Sequence, residues 1–127
     1  MSRFTYDNFA EQFRATVPGF DRIYDEHVAD YAQVLPHVLF GDLVRFLSSE
    51  VALRGAGSVA LKQAMLLLEA GMGCQDPRVQ ELVAVSFLEN LDRHDTSFPA
   101  IRSLFGPRLE EQYRQYSEAA TTGNSIG

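Results

Sequence analysis

Imidazole, carboxylate and phenol side chains concentrate in one stretch of the chain. Tyr24-Asp25-Glu26-His27 is followed by Asp30-Tyr31, then by Leu35-Pro36-His37 and Gly41-Asp42. Such groups can ligate a metal, move protons, or hold a charged partner. His27 and Asp30, with His37 and Asp42 beyond a turn, are donors that zinc or iron accept. Helical metal sites, however, set their ligands four residues apart on one face, as in H-E-x-x-H, and that spacing is missing here. His27 projects with apolar residues while Asp30 turns to the acidic face. The spacing therefore favours a hydrogen-bonded histidine at the core boundary over a ligand, and no metal is expected.

Proton transfer has candidates too, since a helix brings Tyr24, His27 and Tyr31 to one side. No serine or cysteine nucleophile has a motif around it. The chain has no G-x-S-x-G, P-loop or G-x-G-x-x-G, and Gly55-Ala56-Gly57 reads as a helix–helix turn. Cys74, in Gly71-Met72-Gly73-Cys74-Gln75, is alone and has no C-x-x-C partner, so it reads as a small loop residue. The expectation is a protein that is not an enzyme and carries no cofactor. The third chemistry is electrostatic docking. Asp21, Asp25, Glu26 and Asp30 set four anions against the single cation Arg22 on one helix face, and Asp42 can extend the patch. A face of that sign speeds association with a cationic protein. Tyr24 and Tyr31, at the edge of the apolar face, suit either core packing or an interface.

These residues need helices to position them. Phe9, Phe13 and Val17 predict a first helix over Thr5–Val17, stopped by Pro18-Gly19. Phe20, Ile23, Tyr24, His27, Val28 and Tyr31 follow the i, i+3, i+4 pattern of a second. Pro36 breaks the chain, and a third helix runs from His37 to about Leu53, apolar around most of its circumference, with Asp42, Arg45 and Ser49 as its polar stripe. Ser58 caps a fourth over Val59–Met72. Asp76-Pro77 opens a fifth to about Leu91, read as the centre of the core. Phe98–Phe105 is a short helix, and Pro107 opens a last one carrying Leu109, Tyr113 and Tyr116. The fold class is all-α: a compact array of about six or seven short helices, HEAT-like or an irregular bundle, with no sheet. Residues 1–118 form one domain and 119–127 a mobile tail.

The bulk numbers agree. A length of 127 residues suits a single domain, and 46% hydrophobic with 22% charged residues is an ordinary globular composition. A formal charge of −6 excludes the basic face that nucleic acid requires. The longest apolar runs, Met65–Leu68 and Leu82–Val85, fall far short of the ~20 residues of a membrane span. The N-terminal residues show no apolar leader, so a cytoplasmic location is expected.

The segments Tyr24-Asp25-Glu26-His27, Asp30-Tyr31, Leu35-Pro36-His37 and Gly41-Asp42, with Ser86-Phe87-Leu88-Glu89-Asn90-Leu91 later, resemble a family of small, poorly characterised all-helical bacterial proteins. The resemblance covers most of residues 18–116. It implies a single-domain cytosolic protein of the kind encoded beside polymorphic or contact-dependent toxins, and no catalytic residues. Joined to the acidity, it makes the leading expectation an immunity protein. Such a protein would block a basic toxin domain with Asp21, Asp25, Glu26, Asp30 and Asp42. A helical adaptor or homo-oligomer is the alternative. A metal protein or enzyme, with His27, Asp30, His37 and Asp42 in one pocket, is the third.

Overall fold

The computed structural model describes the backbone of residues 4–126 and the side chains of residues 4–118. Seven α-helices follow one another: α1 Tyr6–Thr16, α2 Phe20–Tyr31, α3 Pro36–Arg54, α4 Val59–Met72, α5 Pro77–Glu81, α6 Phe98–Arg102 and α7 Pro107–Ile126. No strand occurs among the described residues, so the fold is all-α. α7 carries helical backbone past residue 118; the side chains of 119–127 lie outside the described residues.

Helix starts lie where the sequence places caps. Ser58 Oγ accepts from Leu61 N–H at 3.1 Å, and Pro36, Pro77 and Pro107, which have no N–H to satisfy, each open a helix where an N–H would lack an intrahelical partner. Two starts are capped from elsewhere in the fold. Asp76 accepts from Arg78 N–H of its own helix and from Tyr6 N–H of α1, both at 2.9 Å. Glu69, on α4, accepts from Arg108 N–H at 2.8 Å and Leu109 N–H at 3.0 Å, closing the start of α7. Gly106 makes room for that carboxylate, since a Cβ there would lie 2.4 Å from Glu69 Cδ.

The core mixes packed aromatic rings with aliphatic side chains. Phe9, Phe13, Phe20 and Phe40 are fully buried and meet mostly edge to face, with Phe13 at 5.1 Å from Phe9 and 5.0 Å from Phe40, a geometry that aligns ring edges with ring faces. Leu39, Leu43 and Leu47 of α3 are buried in the same core as Leu61, Leu68, Leu82 and Phe87. The segment after α5 is helical, as its composition predicts, but its hydrogen bonds change register. Leu82–Phe87 is a π-helical turn, and Leu88–Asn90 closes in a tighter 3₁₀ turn. Asn90 Nδ2 donates to the Ser86 carbonyl at 2.8 Å, which satisfies one acceptor of the widened turn. Val85 is 44% exposed, so this segment is not apolar-covered all round. It shares the centre of the core with α3.

Candidate functional site

α2 is a surface helix held at two points. Only Phe20 and His27 of its residues are buried; Ile23, Tyr24 and Val28 are half-buried and Tyr31 is 46% exposed. Left-handed residues bound it, Gly19 at φ 87° before it and Ala32 at φ 60° after it. The second is costly for a residue with a Cβ. One flank of the helix faces α1 and the other faces α3.

On the flank toward α1, Asp25 receives the guanidinium of Arg14, Nε to Oδ1 at 2.9 Å and Nη2 to Oδ2 at 3.1 Å. The same guanidinium lies 5.7 Å over the Tyr24 ring. The hydrogen bond from Arg14 holds the Asp25 carboxyl below its ordinary range, and Asp25, with a smaller share from Asp21, raises Arg14. Burial is the main cause of a raised Tyr24 phenol. Asp21 and Asp25 therefore belong to a neighbourhood that already has its cation.

On the flank toward α3 lies a groove of about 590 Å³. Glu26 and Asp30 line its α2 wall, and Asp42 its α3 wall beside Arg45, with which Asp42 pairs one turn away. Glu50 also lines it, but it is engaged by Ser58 Oγ at 2.7 Å and Arg54 Nε at 3.3 Å. Glu26 and Asp30 make no ion pair or hydrogen bond among the described residues. Arg22 and Arg45 offset part of the charge, leaving four carboxylates against two guanidiniums. The rim is apolar: Val38 is 42% and Leu53 75% exposed.

His27 stands at the inner edge of this groove, 3% exposed. Its Nε2 accepts from Leu35 N–H at 2.8 Å, fastening α2 to the residue that caps α3. An imidazole nitrogen that accepts carries no proton, so the ring proton sits on Nδ1. That Nδ1 is buried with no hydrogen-bond partner. The Tyr31 ring lies beside it, centroid to centroid 4.8 Å. His27 is thus the boundary histidine expected from the sequence, with half its hydrogen-bonding capacity unused.

His37 lies elsewhere. It starts α3, and its Nδ1 is 2.5 Å from Oγ of Ser86 on the π-helical turn, with the Tyr6 ring 6.3 Å away. Ser86 is 4% exposed, and the contact reads as a tie between α3 and the turn. The four groups His27, Asp30, His37 and Asp42 do not share one pocket: three line the groove and His37 does not. Among the described residues no group of three or more His, Cys, Asp or Glu is placed to hold a metal ion. Cys74 is half-buried, its Sγ 3.7 Å from the Asp76 carbonyl. No single helix among them is long and apolar enough to cross a membrane.

The groove has members that the sequence reading did not single out. Val38, Phe46 and Leu53 recur with Asp42 along α3 at helical spacing, in register with the polar stripe of Asp42, Arg45 and Ser49. That stripe was the available signal, and its apolar neighbours extend it.

The chain belongs to a family described as a domain of unknown function (DUF7674), which matches residues 10–119. Neither the curated proteins nor the solved structures contain a match to the chain.

Proposed function

We propose that the chain is a protein-binding module that receives a basic partner on the α2–α3 side, and that it serves as a bacterial immunity protein blocking a basic toxin domain in the cytoplasm. The observation that carries this reading is the groove. Two carboxylates without internal partners, Glu26 and Asp30, face Asp42 across a depression rimmed by exposed Val38 and Leu53. Unpaired charge of one sign beside exposed apolar surface is what a docking site needs: charge for encounter and orientation, apolar area for residence. Asp42 contributes field despite its pairing with Arg45. Asp21 and Asp25 sit beside Arg14 and add to long-range attraction only.

The test begins with the neighbouring gene. If it encodes a secreted toxin with a cationic effector domain, co-expression of this chain restores growth, and the two proteins co-elute as a complex that salt weakens. A neighbour of metabolic function, or a cationic effector domain that the chain neither binds nor neutralises, sinks the reading. The adaptor or homo-oligomer alternative rests on the exposure of Val38 and Leu53, and a clean monomer in sedimentation removes stable self-association.

A further inference from the structure

Resting on that reading, we infer that the occupant of the α2–α3 groove is an amphipathic basic helix of the partner, lying along the groove. Three observations lead there. The first is the arrangement of the walls. Glu26 and Asp30, which have no internal partner, lie on α2, while apolar Val38, Phe46 and Leu53 lie along α3, interspersed with the Asp42–Arg45 pair. A helix presents a cationic stripe and an apolar stripe side by side, and so meets both walls at once. An extended segment turns alternate side chains to opposite faces and meets only one.

The second is the backbone. Both walls are helices whose main-chain groups are bonded internally, so they offer an incoming strand no ladder. A helix brings its own hydrogen bonds. Val38 to Leu53 spans about 22 Å at the helical rise, room for about four turns. The Cβ atoms of Glu26 and Asp30, one turn apart, are separated by about 6 Å, the spacing of two lysines or arginines one turn apart on the occupant.

The third is His27. Its Nδ1–H is buried and unpartnered at the edge of the groove, and half-exposed Tyr31 is the ring beside it. An occupant that pushes Tyr31 aside and offers a neutral oxygen, from a serine, threonine, asparagine or glutamine, completes that bond. A second copy of this chain is a poor occupant, because it brings a net charge of −6 toward unpaired carboxylates.

The experiment uses the full chain and fluorescence anisotropy with three labelled synthetic peptides of about 16 residues, long enough for the groove. One is a helix former with lysines four apart on one stripe, leucines on the adjacent stripe and a central serine. The second has the same composition with lysine and leucine alternating. The third is the helix with glutamate for lysine. The expected result is that the lysine helix binds at least about tenfold tighter than either control. Val38→Asp and, as an independent rim change, Leu53→Asp each weaken it by about the same factor, and circular dichroism shows both variants folded. Replacing the central serine by alanine weakens binding to the native chain and weakens it less for His27→Gln, whose oxygen can still accept from Leu35 N–H but whose amide donor is displaced from the Nδ1 position. Equal binding of the alternating peptide overturns the helix while leaving a basic partner in place. Equal binding of the glutamate helix overturns both. Failure of all three peptides to bind overturns the helix alone, because growth rescue by this chain against the neighbouring gene's product decides the partner separately.

Discussion

On the α1 flank of α2, Asp25 is gripped by both arms of the Arg14 guanidinium. On the α3 flank, Glu26 and Asp30 meet no cation within ion-pairing distance. The three residues lie within six positions on one short helix and look interchangeable as letters. What separates them is which neighbour each flank faces: α1 supplies an arginine, while the facing α3 wall spends its own arginine, Arg45, on Asp42. A carboxylate already paired gains little from a partner's lysine, because it must exchange one cation for another. An unpaired one gains the full interaction. On the proposed docking reading, the α3 side of α2 is therefore the side that gains most from a cationic partner.

The largest effect that can break this contrast is a double charge reversal. Glu26→Lys with Asp30→Lys is expected to weaken a cationic partner on the order of 100-fold at low salt, mostly through slower association. Asp21→Asn with Asp25→Asn is expected to change it no more than about threefold. Stopped-flow association rates across a salt series check both, and equal losses from the two pairs would erase the distinction. Next comes the fastening of α2 itself. His27→Ala removes a buried ring and strands the Leu35 N–H, at a cost of about 3 kcal/mol in urea unfolding. His27→Gln is expected to recover about half of that by restoring an acceptor.

Smaller effects sharpen the picture. Ala32→Gly relieves the left-handed cap of α2 and is expected to raise stability by up to about 1 kcal/mol; a thermal melt that falls instead would show that Ala32 is unstrained. Acid gives the last test. Asp25 is held low by Arg14, and Asp76 by the N–H groups of Tyr6 and then Arg78. A carboxylate depressed on folding contributes stability that is fully present above its unfolded pKa and is lost as pH falls through the folded value. The urea midpoint is therefore expected to hold down to about pH 4 and decline below it. Asp76→Asn is expected to flatten that decline more than Asp25→Asn, since Asp76 holds two helix starts.

Much of the frame was legible in the sequence because its punctuation is local. Pro18-Gly19, Pro36, Ser58, Asp76-Pro77 and Gly106-Pro107 mark helix ends by their own backbone chemistry. The periodicity of α2 correctly pointed His27 inward. It could not say how much of that face a neighbour would cover, and Tyr31 stayed half outside. The division of the acidic residues was hidden for a similar reason. Arg14 reaches Asp25 across eleven positions and a turn, a pairing set by how α1 packs on α2. The π-helical turn was also out of reach, because a change of hydrogen-bond register leaves the apolar pattern of Leu82–Phe87 unaltered. The immunity expectation and the five partner-binding positions stand as proposals, now weighted toward Glu26, Asp30 and Asp42.

The Glu69 carboxylate over Gly106 has an implication for how this fold can drift. A Cβ at 106 would meet the carboxylate that closes α7, so a side chain there requires Glu69 to shift. The two sites are epistatic. Gly106→Ala alone is expected to displace the carboxylate and weaken its hold on the start of α7, whereas the same change in a Glu69→Ala background has little left to disturb. The glycine at 106 answers to a side chain 37 positions earlier in the chain, and to no left-handed backbone of its own.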